Sequence, residues 1–162
     1  MQRISIIVAV SENNAIGKNN QLLWRIPGDL KRFKKLTTGN TVIMGKNTFL
    51  SLPNGPLPNR KNVVISDNKE DAFDCCIMAY TIKEALRKCD PDERIFIIGG
   101  GMIYKQFLKF ANRLYITKIH KSYIADTFFP NINLDEWEEV SREEKYQDYP
   151  EKLNFTYLIL NK

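Results

Sequence analysis

The chain has 162 residues, 43% of them hydrophobic and 27% charged, with a formal net charge of +5. That length suits one compact domain spanning 1–162 that buries roughly 70% of its unfolded surface, and no repeat, low-complexity tract or span of membrane length interrupts it. The basic residues are spread along the chain with no aromatic-basic pattern or zinc finger, so no nucleic-acid partner is expected and an anionic small molecule accounts for the charge.

An apolar β-branched run at 4–10 reads as the first buried strand. It is too short for a signal or membrane segment and no cleavage site follows, which places the protein in the cytoplasm, without membrane association. A loop over 11–25 comes next, with Asn13, Asn14, Gly17, Asn19 and Asn20 as its turn residues. Loops this long in a small domain are often functional.

The stretch LLWRIPGDLKRFKKL predicts a helix over 28–37 opening after Pro27. Leu30, Phe33 and Leu36 recur on one side, while Lys31, Arg32, Lys34 and Lys35 face water. Asp29 lies four residues before Phe33 and leans toward the apolar side. As a first-turn acid it complements the helix dipole. With Trp24, Leu30 and Phe33 around it, the same carboxylate also suits recognition of a flat, nitrogen-rich ring through paired N–H donors.

A strand at 41–44 runs into VIMGKNTF, where Gly45 precedes a short helix over 47–51. Lys46 and Thr48 either hold phosphate oxygens at that helix start or serve plain capping. The loop LPNGPLPNRK links it to strands at 62–66 and 77–79, a helix at 82–89 and a strand at 95–98. In IFIIGGGMIY three glycines then separate that strand from a helix over 102–110, so backbone can approach an anion closely. Gly99 and Gly101 fit G-x-G-x-x-G, but Tyr104 stands where the third glycine belongs, so the standard dinucleotide fingerprint is incomplete. Two strand-glycine-helix junctions in one sheet suit an extended dinucleotide. Strands at 114–120 and 155–160, the second alternating at Phe155, Tyr157 and Ile159, end the chain as an antiparallel ribbon.

The predicted architecture is therefore α/β: a single-domain three-layer sandwich, its central sheet mostly parallel with an antiparallel C-terminal edge strand, and helices on both faces. Three cysteines, Cys75 and Cys76 adjacent, form neither a disulfide framework nor a metal spacing, so reduced thiols and no metal site are expected. A single histidine, His120, without G-x-S-x-G, sets aside Ser/His/Asp chemistry.

The motifs IGKNNQLLWRIP, GDLKRFKKLT, VIMGKNTF, LPNRKNVVIS, IFIIGGGMIYKQF, LYITKI and ADTFFP, in this order over nearly the whole chain, resemble dihydrofolate reductase of the bacterial chromosomal type. The resemblance implies NADPH-dependent reduction of 7,8-dihydrofolate to 5,6,7,8-tetrahydrofolate, feeding one-carbon metabolism and thymidylate synthesis. It implies hydride delivery to pterin C6 with N5 protonated from solvent, a monomer, and diaminopyrimidine antifolates as inhibitors. By the same resemblance Asp29 matches the pterin-binding carboxylate, Trp24 and Thr117 the partners that hold it, and Leu22 the tip of the mobile loop over the nicotinamide. Ile7, Val8, Ala9, Leu30, Phe33, Leu52, Leu57 and Ile98 match the substrate walls, and Arg60 the clamp on the glutamate α-carboxylate. On the cofactor side Ala9, Ile16 and Gly17 match the nicotinamide pocket, and Gly45, Lys46, Asn47 and Thr48 the first phosphate turn. Ser66 and Asp67 match the adenosine end, and Gly99, Gly100, Gly101, Met102, Ile103 and Tyr104 the second turn, with Gly99-Gly100 a cis peptide. Asp126 matches an acid that pairs with the mobile loop.

Four positions depart from the family pattern: Leu23 replaces a proline, Lys46 stands for arginine in many members, Met102 replaces a phosphate-binding arginine of some, and Asp67 adjoins the expected 2′-phosphate site. A carboxylate there is closer to what an NAD site uses on ribose. A riboflavin-pathway pyrimidine reductase resembles the fold but lacks the Trp24-Pro27-Asp29 arrangement. A non-catalytic nucleotide-binding module would keep the glycine turns with no reason to keep Asp29, Trp24, Thr117 and Arg60 together.

Overall fold

The computed structural model describes residues 2–162. In chain order the elements are β1 (Arg3–Val10), β2 (Ala15–Gly17), α1 (Pro27–Thr37), β3 (Thr41–Gly45), α2 (Lys46–Ser51), β4 (Lys61–Ile65), β5 (Ile77–Ala79), α3 (Ile82–Arg87), β6 (Arg94–Gly99), α4 (Gly101–Phe107), β7 (Arg113–Ile119), β8 (Thr127–Phe128), β9 (Glu138–Gln147) and β10 (Leu153–Asn161). All strands but β2 and β8 join one sheet in the order β5-β4-β3-β6-β1-β7-β10-β9. From β5 to β7 the pairings are parallel; β10 runs antiparallel to both its neighbours.

The parallel strands are apolar on successive residues because each face of the sheet is covered. On one face Ile4, Ile6, Val8, Ile95 and Ile97 meet Ala85 of α3 and Ile103, Tyr104 and Phe107 of α4. On the other, Ile7, Val42, Met44, Phe96 and Tyr115 meet Phe33 and Leu36 of α1 and Phe49 of α2. A third cluster, Trp24, Ile26, Ile119, Leu153, Phe155 and Tyr157, closes the β7–β10 end. The three-layer α/β arrangement expected from the sequence is present.

Some boundaries differ. α2 and α4 begin one residue earlier than the spacing predicts, at Lys46 and Gly101, and α3 and α4 stop sooner, at Arg87 and Phe107. β9 was not expected: EEVSREEKYQ has no apolar alternation and is exposed nearly throughout. Its backbone pairing with β10 makes it the outer member of the antiparallel ribbon, and its charges guard the sheet edge against further pairing. Leu30 is 56% exposed and belongs to no core cluster, so the apolar stripe of α1 rests on Phe33 and Leu36. No helix among the described residues is long and apolar enough to cross a membrane.

Phe107, fully buried, anchors α4 to the sheet. Phe107→Ala should lower the unfolding free energy by about 3–5 kcal/mol, read as a shifted urea midpoint with unchanged slope.

Candidate active site

The parallel strands share a carboxyl edge, where open α/β sheets collect their ligands. Loops leaving β1, β3, β4, β5 and β6 there line one cleft of about 870 Å³, within the range of ligand sites. Ala9, Ile16, Gly17, Gly45, Lys46, Asn47, Thr48, Ser66, Asp67, Gly99, Gly100, Gly101, Met102, Ile103 and Tyr104 all line it. So do Val8, Ile98 and Leu22, the last being 66% exposed on the loop before α1.

Two helices open into the cleft from adjacent strands, α2 after β3 and α4 after β6. Their N-cap residues, Gly45 and Gly100, make no side-chain capping bond, and neither first turn carries an acid. Helix α3 differs: the Thr81 hydroxyl accepts from the Glu84 amide, and Glu84 supplies first-turn charge. Plain capping by Asn47 or Thr48 is thus not what opens α2, and the amide groups at both junctions remain for an anion. The glycines keep the cradle open. A Cβ on Gly45 would come 3.0 Å from Ile103 Cγ1, and one on Gly101 2.9 Å from Thr127 Cγ2. Gly99 has φ +128°, and the Gly99-Gly100 peptide is cis. A dinucleotide pyrophosphate fits this donor set of amides and the Thr48 hydroxyl.

Tyr104 explains the incomplete glycine motif. Its hydroxyl donates to the Ile7 carbonyl at 2.9 Å. Burial first, and the nearby Asp29 charge second, push its pKa far up, so the phenol stays neutral.

Asp29 sits in the first turn of α1, behind Pro27 and the N-cap residue Ile26, but makes no capping bond there. Its Oδ1 accepts instead from the Thr117 hydroxyl at 2.8 Å. Thr117 lies opposite Ala9 in the β1–β7 register, which ties the carboxylate to the cleft wall. Burial raises the pKa of Asp29, against the Thr117 hydrogen bond and the Arg32 charge, which lower it. A perturbed acid next to a cleft is a candidate functional group.

The remaining predicted side chains fall into distinct places. Leu52, Leu57, Phe33 and Ile98 pack on the second core cluster with Ile7. Trp24 is buried in the third, its ring 5.3 Å from that of Tyr123. Arg60 lies apart from the large cleft, beside a smaller hollow of about 440 Å³. Its Nε donates to the Pro58 carbonyl at 2.9 Å and its Nη1 to the Thr37 hydroxyl at 3.0 Å, so the guanidinium is held at the end of α1.

The loop carrying Leu22 has its own fixings. Lys18 and Gln21 exchange backbone hydrogen bonds of 3.1 and 3.0 Å around Asn19 and Asn20, both at positive φ, which is the pattern of a type I′ turn. Asp126 accepts from the Asn19 amide at 2.9 Å through Oδ2, and this bond with that of Thr127 lowers its pKa.

One residue went unforeseen. Asp71 Oδ2 lies 2.8 Å from Lys46 Nζ and accepts from the Ser66 hydroxyl at 2.5 Å. No spacing in the irregular stretch SDNKEDAFDCC signals this contact.

A cleft shaped for a dinucleotide at the sheet's carboxyl edge, adjoined by a half-buried acid suited to a nitrogen-rich ring, defines a nicotinamide-dependent oxidoreductase. Comparison with known proteins sharpens that class. The family model described as dihydrofolate reductase matches residues 3–162. The dihydrofolate reductase of Bacillus subtilis is 39% identical over 98% of this chain and 94% of its own length. That of Buchnera aphidicola subsp. Schizaphis graminum is 42% identical over 99% of both. The solved dihydrofolate reductase from Enterococcus faecalis, complexed with NADP(H) and RAB-propyl, superposes with a TM-score of 0.90 at 32% identity, covering 98% of this chain and 95% of that one. The chain belongs to the dihydrofolate reductase family, whose members are NADPH-dependent oxidoreductases.

Because the folded pKa of Asp29 is raised above the usual 3.8, the folded state favours the protonated acid, and wild-type stability falls as pH rises through that window. Asp29→Asn, whose amide oxygen still accepts from Thr117, should therefore melt above wild type at neutral pH. The difference should close as pH drops below the usual carboxyl value, which melting curves across acid and neutral pH will read.

Proposed function

We propose that the protein reduces 7,8-dihydrofolate to tetrahydrofolate by seating the pterin ring on Asp29, and so supplies one-carbon metabolism and thymidylate synthesis. The observation that carries this reading is the Thr117–Asp29 pair, at 2.8 Å beside the cleft wall. Thr117 holds Oδ1, which orients the carboxylate so that its oxygens can accept from ring N3 and the 2-amino group. When bound, NADPH supplies the hydride that reaches pterin C6. The amides opening α2 and α4, with Thr48, would hold its pyrophosphate, and Ala9, Ile16 and Gly17, which line the cleft, would hold its nicotinamide. Leu22 covers the site and excludes water. Asp29 fixes the ring and favours its protonated form, and the N5 proton comes from solvent. The protein thus contributes position and electrostatics rather than an acid of its own.

Phe33, Leu52 and Leu57 form the apolar path from the pterin toward Arg60. The guanidinium spends Nε and Nη1 on Pro58 and Thr37, which fixes its plane for a carboxylate on the substrate's glutamate tail. Diaminopyrimidine antifolates present the same paired N–H donors as the pterin and would compete at Asp29. The reading takes the protein as a cytoplasmic monomer.

Loss of NADPH absorbance on adding dihydrofolate, blocked by a diaminopyrimidine, tests the activity; no loss at high enzyme concentration would end the reading. Asp29→Asn should slow hydride transfer by roughly 10³-fold at neutral pH, and wild-type single-turnover rates in that variant would remove Asp29 from its role. Arg60→Leu should raise KM for dihydrofolate by about tenfold or more, and leave turnover of a pterin lacking the glutamate tail unchanged.

A further inference from the structure

Asp71 is a carboxylate held where a phosphate is expected. It lies in the irregular segment between β4 and β5, its side chain 16% exposed. Oδ2 contacts Lys46 Nζ at 2.8 Å and the Ser66 hydroxyl at 2.5 Å, and its backbone carbonyl accepts from the Tyr80 hydroxyl at 2.9 Å. Lys46, Ser66 and Tyr80 all line the large cleft. They do so on the β4–β5 side, across the sheet from the β7 strand that carries Thr117. Asp67, the acid the sequence singles out here, is exposed on the cleft wall.

We propose that Asp71 is a cofactor-specificity residue: its carboxylate already occupies the Lys46 and Ser66 donors that a 2′-phosphate on the adenosine ribose requires, so that the protein discriminates weakly against dinucleotides lacking that phosphate. This rests on the reading of the cleft as a nicotinamide-dinucleotide site. A 2′-phosphate entering beside Ser66 must displace Asp71 from Lys46 or settle next to a like charge, and either penalises it. A 2′-hydroxyl meets no such cost. Four contacts hold Asp71 in place, two on its side chain and two on its backbone, where its amide also donates to the Asn68 carbonyl at 3.0 Å, so the competing charge is fixed beside the cleft. NADPH remains accepted, because Lys46 can exchange one anion for the other.

The test is calorimetric titration of the ligand-free protein with adenosine 2′,5′-bisphosphate and with adenosine 5′-monophosphate, for wild type, Asp71→Asn and Asp71→Ser. Melting temperatures first establish that the variants fold; Ser is the alternative should Asn misfold, since either removes the charge. Removing the charge should tighten the bisphosphate by about tenfold while changing the monophosphate by less than about twofold. The ratio of kcat/KM for NADPH over NADH should rise in parallel. An unchanged or weakened bisphosphate affinity in a folded variant overturns the proposal, Asp71 then serving only to position Lys46. Failure of wild type to bind either nucleotide overturns the dinucleotide reading itself, and the proposal with it.

Discussion

A parallel sheet cannot be built from hairpins, and that constraint arranges everything else in this protein. Parallel neighbours from β5 to β7 are joined by crossovers, so helices cover both faces, and the loops leaving the strands gather at one carboxyl edge. The helices that follow β3, β5 and β6 start at that edge, and their first residues line the cleft. Partial positive charge from helix-opening amides is thereby concentrated at the cleft, where it can meet an anion. Local sequence decides which of these starts stays available. Thr81 and Glu84 close α3 upon itself, whereas glycine and lysine leave α2 open and three glycines leave α4 open.

The antiparallel end of the sheet has a different duty. β7 brings Thr117 under α1, and β10 supports β7 with Tyr157 opposite Thr117. Trp24 and Ile26 fill the space beneath the entry to α1 in company with Tyr157 and Phe155. Asp29 is therefore pinned from two directions: by Pro27 and the helix turn on one side, and by a hydroxyl on a neighbouring strand on the other. The question of whether Asp29 is a helix acid or a working group dissolves on this geometry. It complements the dipole by position while its Oδ1 accepts from Thr117 on the strand that pairs with Ala9 of the cleft wall.

What could be read from sequence follows the physics of burial. Strands such as β1, β3 and β6 announce themselves because both faces are apolar, and α1 because Pro27 and the Phe33–Leu36 spacing agree on its start and its inner face. β9 gives no such signal, since this exposed, mostly charged edge strand is held through its backbone by β10. Leu30 misleads for a related reason: it stands at the border of the apolar arc, where the spacing that packs Phe33 and Leu36 against the core leaves it exposed. The glycine turns and Asp29 were legible as motifs. Asp71 was not, because its contact with Lys46 and Ser66 depends on the path of a loop without periodicity, closed by the Tyr80 hydroxyl at its far end.

The two acids that matter most show how environment rather than residue type sets a carboxylate's behaviour. At Asp29 burial dominates, the hydroxyl of Thr117 and the more distant Arg32 oppose it, and the pKa rises. At Asp71 a lysine in direct contact and the Ser66 hydroxyl dominate, and the pKa falls. Relative to a free acid the first carboxylate thus favours its protonated form, and the second its charged form, held against a cation. Under the proposed function, the β7 side would favour a ligand that brings N–H donors, while the Asp71 carboxylate on the β4 side would compete with a 2′-phosphate for Lys46 and Ser66. Substrate recognition and cofactor choice would then be separable in this protein, because Asp29 is tied through Thr117 to β7 whereas Asp71 lies in the segment after β4, tied to Ser66 and Lys46.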